Sequence, residues 1–248
     1  MFNFKILHEY RKNAKTYDVS RAAAKMLDGL GVNQIIVKGK IPKQGPLLII
    51  ANHISVLDSL ILMSQIERAD FHFIALSTYD VYGPETAKKL LPIYRKRKLN
   101  HKIYEYPLCL HMHGRLPQQL SVQEIRKRNR KTISQAAALV NEGKAVSIFP
   151  TGSVGKVHLN ANWKIGVGYL VKEISNPNTK VVFARIAGTK KSDLLAFLNP
   201  ALSRFFFKPN ALSIRFSETI PLSTLISKEN EPTELVEQLE KFHSTIKW

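Results

Sequence analysis

Cysteine is all but missing: Cys109 stands alone in 248 residues, so no disulfide can close within the chain, which fits a reducing compartment. Acidic residues are scarce as well. Only 19 Asp and Glu face 37 Lys and Arg, and the net charge of +18 calls for an anionic partner: nucleic acid, lipid headgroups or a phosphorylated small molecule. There is no zinc-ligand spacing, no RNA-binding aromatic signature and no helix-turn-helix pattern, so nucleic acid rests on charge alone and is not expected as a partner. Long apolar runs are lacking too. The longest is broken by Asn52, His53 and Asp58, short of the roughly 20 residues that span a bilayer. Met1-Phe2-Asn3-Phe4-Lys5 opens no sustained apolar stretch and no small-residue cleavage site, which argues against a signal peptide. Repeats and low-complexity segments are absent, and the glycines and prolines are scattered rather than gathered into a linker. The expectation is a soluble or peripheral protein.

What the chain does have is a 44% hydrophobic composition, enough for one substantial core, and one stretch that organises it. Leu47 to Ala51 reads as a buried strand. Asn52 and His53 follow as a turn, Ser55 is a reasonable N-cap, and Val56 to Ile66 has helical length with Leu57, Leu60 and Ile61 on one face. His53 then falls on the turn and Asp58 on the first helical turns. An imidazole presents one nitrogen as a base when a carboxylate holds the other, so the pair suits proton transfer; a capping or packing role is the bland alternative. Around this stretch, residues 34–41 and 71–76 read as strands and Glu85 to Leu91 as a helix. Thr132 to Asn141 reads as a helix ended by Gly143, and Ala145 to Phe149 as a buried strand turned by Pro150. Such alternation predicts an α/β domain with a largely parallel sheet.

Residues 3–28 read as one basic, amphipathic helical segment. It either lies on an anionic membrane with Phe2, Phe4 and Leu7 inserted, or packs on the domain with its basic face in water. Residues 99–128 read as a hairpin or lid; His111 and His113 within it have no Cys or acidic partner at ligand spacing, so no metal is expected. Phe205-Phe206-Phe207, between Arg204 and Lys208, suits either a membrane interface or a loop folded on the core.

Asn52-His53 with Asp58 five residues after the His, following a buried strand, resembles the first motif of the glycerolipid acyltransferase family, which acylates glycerol 3-phosphate and lysophosphatidic acid. Ile93-Tyr94-Arg95 resembles the family's strand ending in an Arg that helps bind the acceptor phosphate. Phe149-Pro150-Thr151-Gly152-Ser153 resembles the third motif, usually Phe-Pro-Glu-Gly-Thr-Arg-Ser. Trp163 to Leu170 resembles the segment after it, with glycines that permit close packing, and Val181 to Thr189 the fourth motif without its usual Pro. Ala211 to Leu222 resembles the last strand, and Thr233 to Ile246 a closing helix, so the likeness covers about residues 34–246. Two positions depart from the pattern. Thr151 stands where the family usually has Glu and Val154 where it has Arg, residues that help hold the acceptor, although soluble glycerol 3-phosphate acyltransferases carry a small hydroxyl residue at the first.

The resemblance implies a central, largely parallel mixed sheet flanked by helices over residues 34–248, behind an N-terminal helical segment over 1–33 and with an insertion at about 99–128. It implies acyl transfer with no bound cofactor or metal and no covalent acyl-enzyme. Acyl-CoA or acyl carrier protein would be the donor and a lysophospholipid or glycerol phosphate the acceptor. His53 would take the acceptor proton and Asp58 hold the imidazole; Arg95 or Arg97, aided by Lys156, would bind phosphate, and Thr151, Gly152 and Ser153 would shape the polyol side. The enzyme would be peripheral on the cytoplasmic face of an anionic membrane. The competing readings are a catalytically silent lipid-binding member of the same fold and an O-acyltransferase with a non-phosphate acceptor.

Overall fold

Two helices, α1 (Phe4–Thr16) and α2 (Val19–Gly29), lead into β1 (Ile36–Lys38) and β2 (Leu47–Ala51). Then come α3 (Asp58–Ser64), β3 (Phe71–Leu76), a 3-10 turn at Ser77–Tyr82, α4 (Pro84–Lys89) and β4 (Leu90–Ile93). A long α5 (Val122–Asn141), β5 (Ala145–Ile148), α6 (Gly166–Glu173) and β6 (Lys180–Ala187) follow. The chain closes with β7 (Ser213–Phe216), β8 (Ile220–Pro221), α7 (Leu222–Leu225) and α8 (Pro232–Thr245). The structure, a computed structural model, describes residues 4–32, 34–96, 120–152, 163–190, 193 and 212–246.

The strands form one sheet in the order β1-β7-β6-β2-β5-β3-β4, with β8 paired to β6. Strands β6, β2, β5, β3 and β4 are parallel, whereas β7 and β8 run antiparallel to β6. This is the largely parallel mixed sheet the sequence predicts. Because β2 is central and apolar on both faces, its residues divide by strand alternation between two cores. Leu47, Ile49 and Ala51 pack with α1, α2 and α3; Leu48 and Ile50 pack with α5, α6 and α8. The C-terminal ends of the parallel strands lie along one edge, where open α/β sheets hold their ligands.

Several local expectations change. The single N-terminal helix is two, because Asp18, extended at φ −167°, caps α2 by accepting from the Arg21 amide at 2.7 Å. Its apolar face is already used: Ile6, Leu7, Tyr10 and Ala14 are buried, and Leu7, assigned to a bilayer in the membrane reading, is 5% exposed. Arg11 anchors α1 by donating to the Val81 carbonyl at 3.0 and 2.7 Å, and the Tyr10 and Thr86 hydroxyls meet at 3.1 Å. Lys5, Lys12, Lys15, Arg21 and Lys25 keep a basic face in water. Helix α3 starts at Asp58 rather than Val56, and Leu90 and Leu91 belong to β4 rather than to a helix. Residues 122–128 are the first turns of α5, capped by Ser121 accepting from the Glu124 amide at 3.1 Å; residues 99–119 lie outside the described residues. No helix among the described residues is long and apolar enough to cross a membrane.

Candidate active site

The site is built where β2 ends. Strand pairing stops at Ala51, and the Asn52 side chain continues it by hand: its amide Nδ2 donates to the Ile186 carbonyl at 2.8 Å and its Oδ1 accepts from the Ile186 amide at 2.6 Å. One side chain thus replaces a ladder step between β2 and β6 and frees the backbone to turn at the next residue. Ile186 is 1% exposed, so truncating Asn52 would strand two buried backbone groups. Asn52→Ala is expected to cost about 2 kcal/mol. Urea unfolding should register it as a lower midpoint with unchanged slope; an unaltered midpoint would mean the clamp contributes nothing.

His53 follows directly, 12% exposed at the side chain, with Nδ1 3.3 Å from Oδ2 of Asp58, which is fully buried. A carboxylate only accepts, so Nδ1 carries the hydrogen and Nε2 is left as the acceptor. The bond is long and has room to shorten as charge develops on the ring. Oδ2 of Asp58 also accepts from the Ile54 amide at 2.5 Å and the Ser55 amide at 2.7 Å. Asp58 therefore shapes the turn that carries its own partner. Its Oδ1, equally buried, has no hydrogen-bond partner among the described residues.

The turn after β5 supplies the wall. Phe149 stacks on the His53 ring with centroids 4.3 Å apart and planes 22° from parallel. The amide of Gly152 closes the turn onto the Phe149 carbonyl at 3.1 Å, and Gly152 sits at φ +62°, where a side chain is disfavoured. Thr151, between them, is 8% exposed. Motifs one and three of the sequence are thus in contact.

Arg95 follows β4 on the same sheet edge and is exposed. Asn129 of α5 fixes its approach, accepting from the Tyr94 amide at 2.7 Å and donating to the Tyr94 carbonyl at 2.9 Å, while Thr132 donates to the Pro92 carbonyl at 2.7 Å. Strand β4 is three places from β2, about 14 Å at the usual spacing, so Arg95 and His53 could share a substrate only through the length of the arginine and of the substrate itself. Arg97, Ser153 and Lys156 lie outside the described residues, as do His111, His113 and Phe205 to Phe207. Among the described residues no group of His, Cys, Asp and Glu could hold a metal ion.

The sequence reading assigned no role to Asn52 beyond its place in the motif, and it missed Asp193. Asp193 is 2% exposed, and its Oδ2 accepts from the Ser55 hydroxyl at 2.7 Å and the Lys190 amide at 2.7 Å. Burial pushes its carboxyl up from the ordinary value, the hydrogen bonds of Lys190 and Ser55 opposing and the nearby Asp58 charge adding to the rise.

A buried carboxylate hydrogen-bonded to a histidine, on the turn after the central strand of an open parallel sheet, is an arrangement in which an imidazole can serve as a general base. The chain belongs to the Acyltransferase family, whose model matches residues 34–184, more than half of its length, and it is an acyltransferase on that ground. Among solved structures it is similar to the 1-acyl-sn-glycerophosphate (LPA) acyltransferase PlsC from Thermotoga maritima. The identity is 15% and the TM-score 0.48, over 99% of this chain and 97% of that one. No curated protein matches the chain.

Proposed function

We propose that the protein moves a fatty acyl group from an acyl thioester, carried on CoA or on acyl carrier protein, to a hydroxyl of a lysophospholipid or glycerol phosphate. The observation that carries this reading is the His53–Asp58 pair, held at 3.3 Å and walled by Phe149 at the open edge of the sheet. Nε2 of His53 takes the proton from the acceptor hydroxyl, and Asp58 stabilises the imidazolium. The alkoxide attacks the thioester carbonyl, the tetrahedral intermediate collapses with cleavage of the C–S bond, and the thiolate leaves with the proton returned by His53. Acyl transfer is direct, with no acyl-enzyme. Arg95 is offered as the phosphate ligand, with Arg97 and Lys156 as further cations; Thr151, Gly152 and Ser153 are assigned to the polyol side. Basic surface on α1 and α2 supports a peripheral position on an anionic, cytoplasmic membrane face.

One observation favours a different acceptor. Thr151 puts a neutral, nearly buried hydroxyl where a charged residue is usual, and this suits a polyol or neutral lyso-lipid better than a phosphate alone. Thiol release from long-chain acyl-CoA and from acyl carrier protein, measured with glycerol 3-phosphate, lysophosphatidic acid and a neutral lyso-lipid, decides the matter. If phosphate is read, Arg95→Ala should raise KM for the phosphate acceptors by about tenfold, the worth of one charge-assisted hydrogen bond, and leave the neutral one unchanged. Turnover with the neutral acceptor alone would move the assignment to a non-phosphate substrate. The absence of release with every donor and acceptor would leave a lipid-binding protein.

A further inference from the structure

Ser55 is fully buried between two buried carboxylates that lie far apart in the chain. Its amide donates to Asp58 at 2.7 Å; its hydroxyl donates to Asp193 at 2.7 Å and accepts from the Leu57 amide at 3.2 Å. Asp193 is itself fixed, because its Oδ2 accepts from the Lys190 amide at 2.7 Å while its own amide donates to the Lys190 carbonyl at 3.1 Å. Residue 190 lies three residues beyond the end of β6, the strand clamped by Asn52. The histidine turn is therefore held from both ends, at Asn52 by the Ile186 backbone and at Ser55 by Asp193.

An acid this buried is unusual unless its hydrogen bonds require it, and the described donors to Asp193 are both neutral. Its described side-chain hydrogen bonds go to Ser55 and Lys190 and not to His53, so its route to His53 is through the turn. We propose that Asp193 is a positioning residue for the transfer reaction, which through the Ser55 hydroxyl holds the turn that presents His53. Without Asp193 the Ser55 hydroxyl loses its acceptor in a fully buried place. Oδ1 of Asp58 is buried and has no partner among the described residues, so a serine hydroxyl that turned to it would draw Asp58 from the imidazole. The inference rests on the proposed acyl transfer for its kinetic test and on hydrogen bonding alone for its second test.

Thiol release should be compared in wild type, Asp193→Ala, Asp193→Asn, Ser55→Ala and the Asp193→Ala/Ser55→Ala double variant. Asp193→Ala is expected to lower kcat by about 10- to 100-fold, the cost of a misplaced reacting group, with KM for the thioester within about twofold. Asp193→Asn keeps an oxygen that accepts from both donors and should stay within about fivefold of wild type. The double variant should be no slower than the slower single one, because both break the same link. Hydrogen exchange of the Ile54 and Ser55 amides should speed up by about tenfold in Asp193→Ala while the amides of β2 stay as protected as in wild type. Unchanged kcat, a loss confined to KM, additive losses in the double variant, or exchange quickened equally throughout would each overturn the proposal. Should Asp193→Ala not fold, Asp193→Asn and Ser55→Ala still decide it. If wild type releases no thiol, the acyl-transfer reading fails, and exchange at Ile54 and Ser55 alone upholds or overturns the tie.

Discussion

Replacing His53 by Ala should lower acyl transfer by about two to four powers of ten and leave the fold in place. The side chain is partly open, its one hydrogen bond among the described residues is to Asp58, and its ring packs on Phe149, which stays buttressed by the turn that Gly152 closes. The loss should fall on kcat, since a proton acceptor acts in the transition state more than in binding. Asp58→Asn should be nearly as damaging for a different reason. An amide with its oxygen at the Oδ2 place can still accept from Nδ1, but it is neutral and cannot steady an imidazolium. It should also loosen the turn, because the Ile54 and Ser55 amides would then donate to a neutral oxygen instead of a carboxylate. His53→Ala should therefore melt close to wild type and Asp58→Asn below it. Initial rates of thiol release with scanning calorimetry on both variants provide the check. Rates equal to wild type in His53→Ala would remove the base from the mechanism.

The parts of the site visible in the sequence are those made by neighbours in the chain. A five-residue apolar strand running into Asn52-His53, with Asp58 at the start of a helix, fixes its own geometry locally, and so does the turn Phe149 to Gly152 behind its strand. That these two turns touch follows from the parallel pairing of β2 with β5, which alternation of strands and helices already suggests. Asp193 was invisible because its partner Ser55 is 138 residues away, and a polar residue beyond a strand carries no signal for a buried contact. The clamp of Asn52 on Ile186, 134 residues apart, hid for the same reason, although the motif flagged the residue. The N-terminal segment left two readings open. Its apolar stripe is real, but a stripe does not say what covers it; Ile6, Tyr10 and Ala14 pack into the domain core, and Leu7 is buried as well. Helix boundaries at Val56, Thr132 and Leu91 shifted because turns and caps such as Ser121 compete with periodicity over one or two turns.

The glycines after the third motif were legible as packing residues, and the structure separates the one that matters most. A Cβ on Gly168 would overlap the Pro232 carbonyl, with the carbonyl carbon and Cα of Pro232 at 2.6 and 2.9 Å. The obstacle is backbone at the first turn of α8, which Pro232 stiffens and the Glu231 amide ties back by donating to Glu234 at 3.0 Å. It cannot turn aside as a side chain would. Gly168→Ala must therefore push α6 from α8 and open the core of Val167, Leu170, Leu235 and Leu239. The expected cost is about 3 kcal/mol or more, at the upper end for overpacking, and about 10 °C in the melting midpoint for a domain of this size. Gly166 provides the control on the same helix. Its Cβ would lie 3.7 Å from the Ile133 methyl, an ordinary contact, so Gly166→Ala should be neutral or gain a few tenths of a kcal/mol from helix propensity. Since α6 and α8 pack on the face opposite α1 to α3, the folded fraction of Gly168→Ala should keep the kcat of wild type. A melting midpoint shared by Gly168→Ala and wild type would show that the two helices do not meet this closely.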